Sequence, residues 1–244
     1  MLEDDGFDVV KIDPLTEEIP AEASLIIVNS PLNDFSEELV DKLYNFMEND
    51  GNYGKNMIYL ASTSQNPTPN IDAFLAEWGV KVVSGIVSDS NQQNILGGSG
   101  GYGFVTYIGD SGTISTGDGA ETNYTGGIPD ETLENPVAAA YVRPLEILFE
   151  HRGNVSAYSL LNTAETGYYL TEEMTREYAE TGVMPEIEEK SIPLMTLSSK
   201  YVFKDNEQLL SNILVIGSDY VLNNGYTSQT YFNNGDYFIS IINK

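Results

Sequence analysis

A glycine-rich run in the first half of the chain carries the spacing most suggestive of catalysis. Gly97, Ser99 and Gly101 match G-x-S-x-G, the pattern of the nucleophile elbow in α/β hydrolases. That turn needs a strand before the serine and a helix after it, so that the hydroxyl is held exposed. Here polar residues 91–94 precede the motif and a strand-like run follows it. The context therefore favours a flexible Gly/Ser loop over a catalytic serine.

The same run also matches a dinucleotide-binding pattern in its letters. Gly98, Gly100 and Gly103 have the G-x-G-x-x-G spacing, but that site needs a helix amino terminus directly after it to bind the pyrophosphate. The apolar run from Phe104 predicts a strand instead. A phosphate would also enter a strongly acidic protein, so we expect no nucleotide cofactor.

His151 is the only histidine and hence the one candidate for histidine-dependent acid–base chemistry. A Ser–His–Asp arrangement with Ser99 and His151 stays open, because its members meet in space rather than in sequence. A surface histidine before a turn at Gly153 is the commoner occurrence. The 37 Asp and Glu residues offer too many pairs to assign a glycosidase site. We assign no catalytic residues and expect the chain not to be an enzyme.

Two loops, at residues 110–112 and 118–121, are rich in side-chain oxygen. Ca²⁺ prefers such ligands, yet the Asp spacing of an EF-hand loop is absent. Calcium binding stays an alternative to a solvated loop. Without cysteine, and with one histidine, thiolate and multi-histidine metal sites are excluded. No metal and no cofactor is predicted.

The 16 tyrosines suggest a binding surface. Tyrosine combines contact area with a hydrogen-bonding tip, so a cluster of tyrosines marks a candidate interface. We expect most of these tyrosines to be partly buried, with a tyrosine-rich interface between residues 100 and 170 as the alternative. The tyrosines concerned are Tyr102, Tyr107, Tyr124, Tyr141, Tyr158, Tyr168 and Tyr169.

Charge and hydropathy exclude several partner classes. The 244 residues include 11 Lys and Arg against 37 Asp and Glu, a formal net charge of −26. Nucleic acids and anionic lipid headgroups need a basic surface, so neither is an expected partner. No apolar run approaches the ~18–20 residues of a membrane span. We therefore expect no membrane insertion by this chain itself.

The elements that must position any site alternate between strands and helices in the first third of the chain. Continuous apolar runs predict buried strands, and capped amphipathic runs predict helices. In chain order these are strand 7–12, strand 24–29, helix 36–47 with Ser36 as N-cap, strand 56–61, helix 70–79 and strand 80–83. This alternation with short links predicts a mostly parallel sheet covered by helices.

The remaining chain is predicted to add a β-rich insertion and further strands. Gly, Ser, Thr and Asn dominate residues 89–135, which indicates hairpins. The later elements are strand 155–161, a solvated helix or loop at 170–181, an edge strand 191–198 containing Pro193, strand 211–218 and a helix from 234. We expect a single α/β domain over residues 1–244. Residues 1–6 resemble the last turn of a helix stopped by Gly6. We therefore expect the domain to be truncated at its amino terminus, with a frayed native end as the alternative.

Several segments resemble the family of gliding-motility-associated ABC-transporter auxiliary proteins. The segments are IPAEASLIIVNSP at 19–31, NIDAFLAEWGV at 70–80, ILVIGSDYV at 213–221 and NGDYF at 234–238. The resemblance covers roughly residues 6–84 and 205–244. It implies a flavodoxin-like or class I amidotransferase-like three-layer sandwich. It also implies a position on the extracytoplasmic face of the cell membrane, tethered by helices outside this sequence, and transfers no catalytic residue.

The expected function is therefore that of a non-catalytic auxiliary domain of an ABC-type transport system. Its expected partner is the ABC permease and ATPase complex or another membrane-associated protein. Two alternatives stay open. One is a small-ligand or sugar-binding module, which a pocket lined by Tyr and Asn would favour. The other is a hydrolase or amidotransferase-like enzyme on the same scaffold, for which Ser99 and His151 would have to meet.

Overall fold

A computed structural model describes residues 2–4, 6–96, 103–106, 113–115 and 121–244. Within these residues the strands are β1 (Leu25–Asn29), β2 (Asn56–Leu60), β3 (Val80–Val82), β4 (Ile86–Asp89), β5 (Gly103–Thr106), β6 (Thr113–Ser115), β7 (Glu121–Asn123), β8 (Val137–Ala140), β9 (Leu145–Ile147), β10 (His151–Arg152), β11 (Val155–Asn162), β12 (Gly167–Leu170), β13 (Pro193–Lys204) and β14 (Glu207–Ile216). The helices are α1 (Glu37–Glu48), α2 (Pro69–Glu77), α3 (Asp130–Leu133), α4 (Glu172–Thr181), α5 (Asn224–Thr227) and α6 (Asn234–Ile242).

The central sheet has six strands in the order β1-β2-β14-β13-β11-β10. Only β1, β2 and β14 run parallel, and the pairs from β14 to β10 are antiparallel. The other described pairs, β12 with β4, β3 with β9, β5 with β8 and β6 with β7, are also antiparallel. The predicted flavodoxin-like or class I amidotransferase-like three-layer sandwich with a mostly parallel sheet is therefore wrong.

The physical reason for this correction is the connection between β13 and β14. A parallel pair needs a long crossover, usually a helix, whereas a two-residue turn joins antiparallel strands. The turn residues Asp205 and Asn206 have φ values of 53° and 67°, which suit the left-handed turns of tight hairpins. The resulting hairpin supplies two of the six central strands.

Alternating side chains place the two faces of the central sheet in separate cores. On β2, Met57 and Tyr59 pack with α1 and α2, while Ile58 and Leu60 belong to the core on the opposite face. Helix α1 begins where predicted, because the Ser36 side chain accepts a hydrogen bond from the Leu39 N–H. The opposite face is covered by α6 at the end where β2 and β14 finish.

Several predicted elements are confirmed and two details are corrected. The confirmed predictions include the strands at 24–29 and 56–61 and the helix that begins at Asn234. Residues 7–12 form no strand and lie mostly exposed. Pro193 does not mark an edge strand, because β13 lies between β11 and β14; it is the first residue of that strand, where a missing N–H is tolerated.

Candidate binding face on the central sheet

Five polar side chains form a straight line across five adjacent strands of the central sheet. Asn56 pairs with Asn212, Asn212 with Ser199, Ser199 with Ser156, and Ser156 with His151. Residues paired directly across strands point to the same face. We call these five residues the polar row.

Side-chain hydrogen bonds connect members of the polar row. Asn212 Nδ2 donates to Asn56 Oδ1 at 2.9 Å, and Ser199 Oγ donates to Asn212 Oδ1 at 2.7 Å. At the far end His151 Nδ1 and Ser156 Oγ lie 3.0 Å apart and share a proton whose position depends on the tautomer. The row is therefore a preformed set of hydrogen-bond donors and acceptors that includes no Asp, Glu, Lys or Arg.

The polar row lies beside an apolar row on the same face, one pleat further along the strands. There Ile58 pairs with Leu214, Leu214 with Leu197, and Leu197 with Tyr158. The three aliphatic side chains belong to the core beneath α6. Because the helix covers only this half of the face, the half that carries the polar row is open among the described residues.

The open half forms a concavity of about 970 Å³, which we call the open groove. Its volume lies within the range of small-molecule sites in proteins. Its lining comprises Phe7, Ser24, Leu25, Asn56, Met57, Ile58, Thr122, Tyr124, His151, Gly153, Ser156, Tyr158, Leu197, Ser199, Tyr201, Phe203, Gln208, Leu210, Asn212, Leu214, Ile241, Ile242 and Lys244. All five members of the polar row are among them.

The lining of the open groove contains no Asp and no Glu among the described residues. The chain carries 37 acidic residues, so this patch departs sharply from the rest of its composition. Placing a carboxylate against a partly apolar ligand costs desolvation energy unless a partner charge is present. Lys244 lies at the end of the described lining, and the side chains of the polar row are otherwise suited to an uncharged ligand.

Two tyrosines meet inside the open groove. The pKa of Tyr124 is raised to about 12, chiefly by burial and further by the neighbouring Tyr158. The Tyr158 hydroxyl is buried and has no hydrogen-bond partner among the described residues. A buried hydroxyl without a partner is costly unless water or a ligand satisfies it. The Tyr158 ring also packs edge-on against His151, with 5.6 Å between ring centroids.

The β13–β14 hairpin adds two aromatic rings to the rim of the groove. Tyr201 and Phe203 follow Ser199 at alternate positions, so they point to the same face. Their ring centroids lie 5.7 Å apart, and the Phe203 side chain is 71% exposed. A partly exposed aromatic pair beside a polar row is a candidate stacking surface for a ligand.

Of the sequence-predicted site residues, the structure places His151 in the groove and leaves Ser99 outside the described residues. His151 contacts Ser156, a residue that no sequence motif had marked. Among described residues no carboxylate hydrogen-bonds to the His151 ring. In a Ser–His–Asp unit the carboxylate holds Nδ1, whereas here Nδ1 contacts the serine.

The tyrosines considered for a shared interface are divided among different places. Tyr124 and Tyr158 line the open groove, while Tyr141 packs against Tyr220 with 5.1 Å between ring centroids. Tyr102 and Tyr107 lie outside the described residues, as do the oxygen-rich positions 110–112 and 118–120. In the part of the chain that the structure describes, no group of three His, Asp or Glu residues converges to hold a metal ion.

A second polar cluster surrounds Arg143 near the carboxyl end of β2. Arg143 Nε donates to the Val83 carbonyl at 3.1 Å, and Gln65 donates from Nε2 to the Tyr59 hydroxyl at 2.9 Å. Burial is the main cause that raises the pKa of Asp72, and Arg143 opposes it. These groups bond mainly to one another and to backbone, so the cluster positions loops between strands.

Comparison with protein-family models, with curated proteins and with solved structures gives no match for this chain. The resemblance to ABC-transporter auxiliary proteins therefore stays a prediction. None of the described helices combines the length and apolar character needed to cross a membrane.

Proposed function

We propose that this chain is a non-catalytic binding domain, and that the open groove binds an uncharged ligand rich in hydroxyl or amide groups. The observation that carries the proposal is the polar row, set in a lining that has no Asp or Glu among the described residues. Asn and Ser side chains both donate and accept hydrogen bonds. They suit a ligand whose hydroxyl or amide groups also donate and accept hydrogen bonds.

The chemistry of the row supports binding over hydrolysis. Ser156 is the serine in contact with His151, at 3.0 Å. Activation of a serine needs a base held in orientation by a third group, and no described carboxylate bonds to this ring. The hydroxyls of the row are instead suited to direct contact with a ligand.

The setting of this binding domain follows from the sequence resemblance and is part of the proposal. It would lie outside the cell membrane beside an ABC permease. There it would present a bound ligand to the transporter or signal to the transporter that the ligand is bound. Purification of the full-length protein from membranes tests the setting. Recovery without a permease or ATPase subunit would contradict it and would leave the groove proposal standing.

The groove proposal is tested by titrating the protein with three classes of probe. These are neutral oligosaccharides, sulfated or uronic-acid oligosaccharides, and uncharged peptides. We expect wild type to bind an uncharged probe and the Asn212→Ala variant to bind it roughly tenfold more weakly, as loss of one or two hydrogen bonds predicts. Ser199→Asp should weaken binding further, because it places a carboxylate in the lining.

Asn135→Ala is the matched control, because Asn135 lies outside the groove and makes one exposed hydrogen bond, to the Thr230 carbonyl. Its affinity should equal that of wild type. Thermal unfolding of every variant confirms that it is folded. Equal binding by all variants, or binding of anionic probes alone, would contradict the proposal.

A further inference from the structure

We infer that the ligand of the open groove is a linear neutral glycan that lies along the polar row, across the strands. This inference rests on the proposed function and adds the ligand class, its direction and its length. The row begins at Asn56, beyond which the paired residue on β1 is the apolar Leu25. It ends at His151 on the edge strand β10.

The pitch of the row sets the length of the ligand. Neighbouring strands are ~4.8 Å apart, so the four intervals from Asn56 to His151 span about 19 Å. One such interval is close to the length of one sugar ring in an extended chain. The row therefore presents one polar side chain per sugar and matches a glycan of about four to five units.

The unused hydrogen-bonding capacity of the row fits the hydroxyl groups of a sugar. Asn212 uses one N–H toward Asn56 and its oxygen toward Ser199. Among the described residues this leaves one N–H of Asn212 and the amide nitrogen of Asn56 for a ligand. A sugar hydroxyl, which donates and accepts, pairs with each of them.

The aromatic rings at the rim supply the apolar contact that a sugar also needs. A pyranose has an apolar face of C–H groups, and an aromatic ring gives it a flat contact surface. Tyr201 lies two residues from Ser199 along β13, or roughly 7 Å from the centre of the row. Stacking on Tyr201 thus leaves the edge of the ring facing the polar row.

An extended peptide fits this geometry less well than a glycan. Peptides that bind to sheets pair their backbone with a free strand edge, and pockets then receive alternate side chains. The polar row instead presents side chains from the middle of a face, where β2, β14, β13 and β11 have strands on both sides. A peptide lying along the row would cross the strands rather than extend the edge of the sheet at β10.

The test is a titration of the full chain with oligomers of β-linked glucose and of N-acetylglucosamine, from a single sugar to six units. We expect affinity for one series to rise with each unit and to level off at about four to five units. His151→Ala and Asn56→Ala, at the two ends of the row, should weaken binding of the longest oligomers severalfold and of the disaccharide little. Asn212→Ala should weaken every length.

The outcomes separate this inference from the proposed function. Two results would overturn the proposed direction of the glycan while the groove stays a ligand site. One is an affinity that does not depend on the length of the oligomer. The other is an equal loss of affinity for all lengths in His151→Ala and Asn56→Ala. Binding of uncharged peptides alone, sensitive to Asn212→Ala, overturns the glycan class in the same way. If no uncharged probe responds to groove variants, both proposals fail. The Asn135→Ala control should follow wild type throughout.

Discussion

Asn212 donates a hydrogen bond of 2.9 Å from Nδ2 to Oδ1 of Asn56, across a pair of parallel strands. Asn212 also accepts a 2.7 Å bond from Ser199 on its antiparallel neighbour. Since β14 is the strand at which the sheet changes from parallel to antiparallel pairing, one side chain connects both halves of the sheet. The same side chain lies in the open groove, so stability and binding are linked at this position.

Replacing Asn212 with alanine should lower the free energy of unfolding by about 1 kcal/mol, because two partly exposed side-chain hydrogen bonds are lost and water replaces part of them. Urea unfolding measures the change. Gln208→Ala is the control on the same strand and face, where the side chain is exposed, and it should change stability by less than about 0.5 kcal/mol. Equal losses for the two variants would contradict the role of the Asn212 bonds.

Asn234 should tolerate substitution far less well than Asn212. It is buried, accepts a hydrogen bond from the Ala138 N–H and donates to the carbonyls of Ala138 and Val221. Asn234→Ala leaves these backbone groups without a partner, at about 1–3 kcal/mol for each. We expect a loss of about 3 kcal/mol or more in urea unfolding. Asn135→Ala, which removes one exposed hydrogen bond, should cost less than about 1 kcal/mol. A similar cost for both variants would show that water replaces the lost Asn234 bonds.

The sequence predicted the local elements of this fold better than their pairing. Strands β1 and β2 and helices α1 and α2 follow from strong local signals such as the Ser36 cap. The parallel sheet was wrong because strand partners after β2 are set by contacts distant in sequence. One local signal was available: Asp205 and Asn206 are residues that adopt the left-handed turn of a two-residue hairpin.

Most of the candidate site could not be predicted from the sequence. His151 was singled out for its chemistry, but its neighbour in space is Ser156 rather than Ser99. Asn56 and Asn212 stand 156 positions apart, and each is a polar residue at the start of an apolar run. Strand alternation shows which face such a residue shares with its neighbours. Only the register between strands brings the five residues of the polar row into line.

Gly217 should be irreplaceable, because backbone packs directly against it. A Cβ at this position would lie 2.3 Å from the Arg143 carbonyl oxygen and 2.7 Å from Val142 Cγ1. The same stretch is held by hydrogen bonds from Gly217 N–H to the Leu194 carbonyl and from Arg143 N–H to the Gly217 carbonyl. The segments at Gly217 and Arg143 cannot separate without breaking these bonds. Gly217→Ala should cost about 3 kcal/mol or more in unfolding free energy.

Gly153→Ala is the control for backbone conformation without crowding. Gly153 has a φ of 63°, and a Cβ added there would meet nothing within 4 Å, so alanine meets only the left-handed penalty of about 1–2 kcal/mol. Thermal and urea unfolding of both variants separate the two effects. A Gly217→Ala protein as stable as Gly153→Ala would show that the strand packing relaxes easily.

Asp72 should make stability depend on pH in the direction opposite to that of a paired carboxylate. Burial is the largest cause that raises its pKa, and the Thr68 hydrogen bond of 3.2 Å and Arg143 only partly oppose it. The folded state therefore holds this proton more tightly than the unfolded state. Wild-type stability should fall, relative to Asp72→Asn, as pH rises from below the ordinary Asp value of about 3.9 through the raised pKa.

The Asp72→Asn variant keeps the oxygen that accepts the Thr68 hydrogen bond and does not ionise. Urea unfolding between pH 3 and pH 7 should find it equal to wild type at the acidic end and more stable at neutral pH. Any lost carboxylate also reduces the repulsion within a chain of net charge −26. Asp8→Asn, at an exposed position, measures that general effect. We expect a larger gain for Asp72→Asn than for Asp8→Asn, because Asp72 is held away from water and Asp8 is not; equal gains would leave charge repulsion as the whole effect.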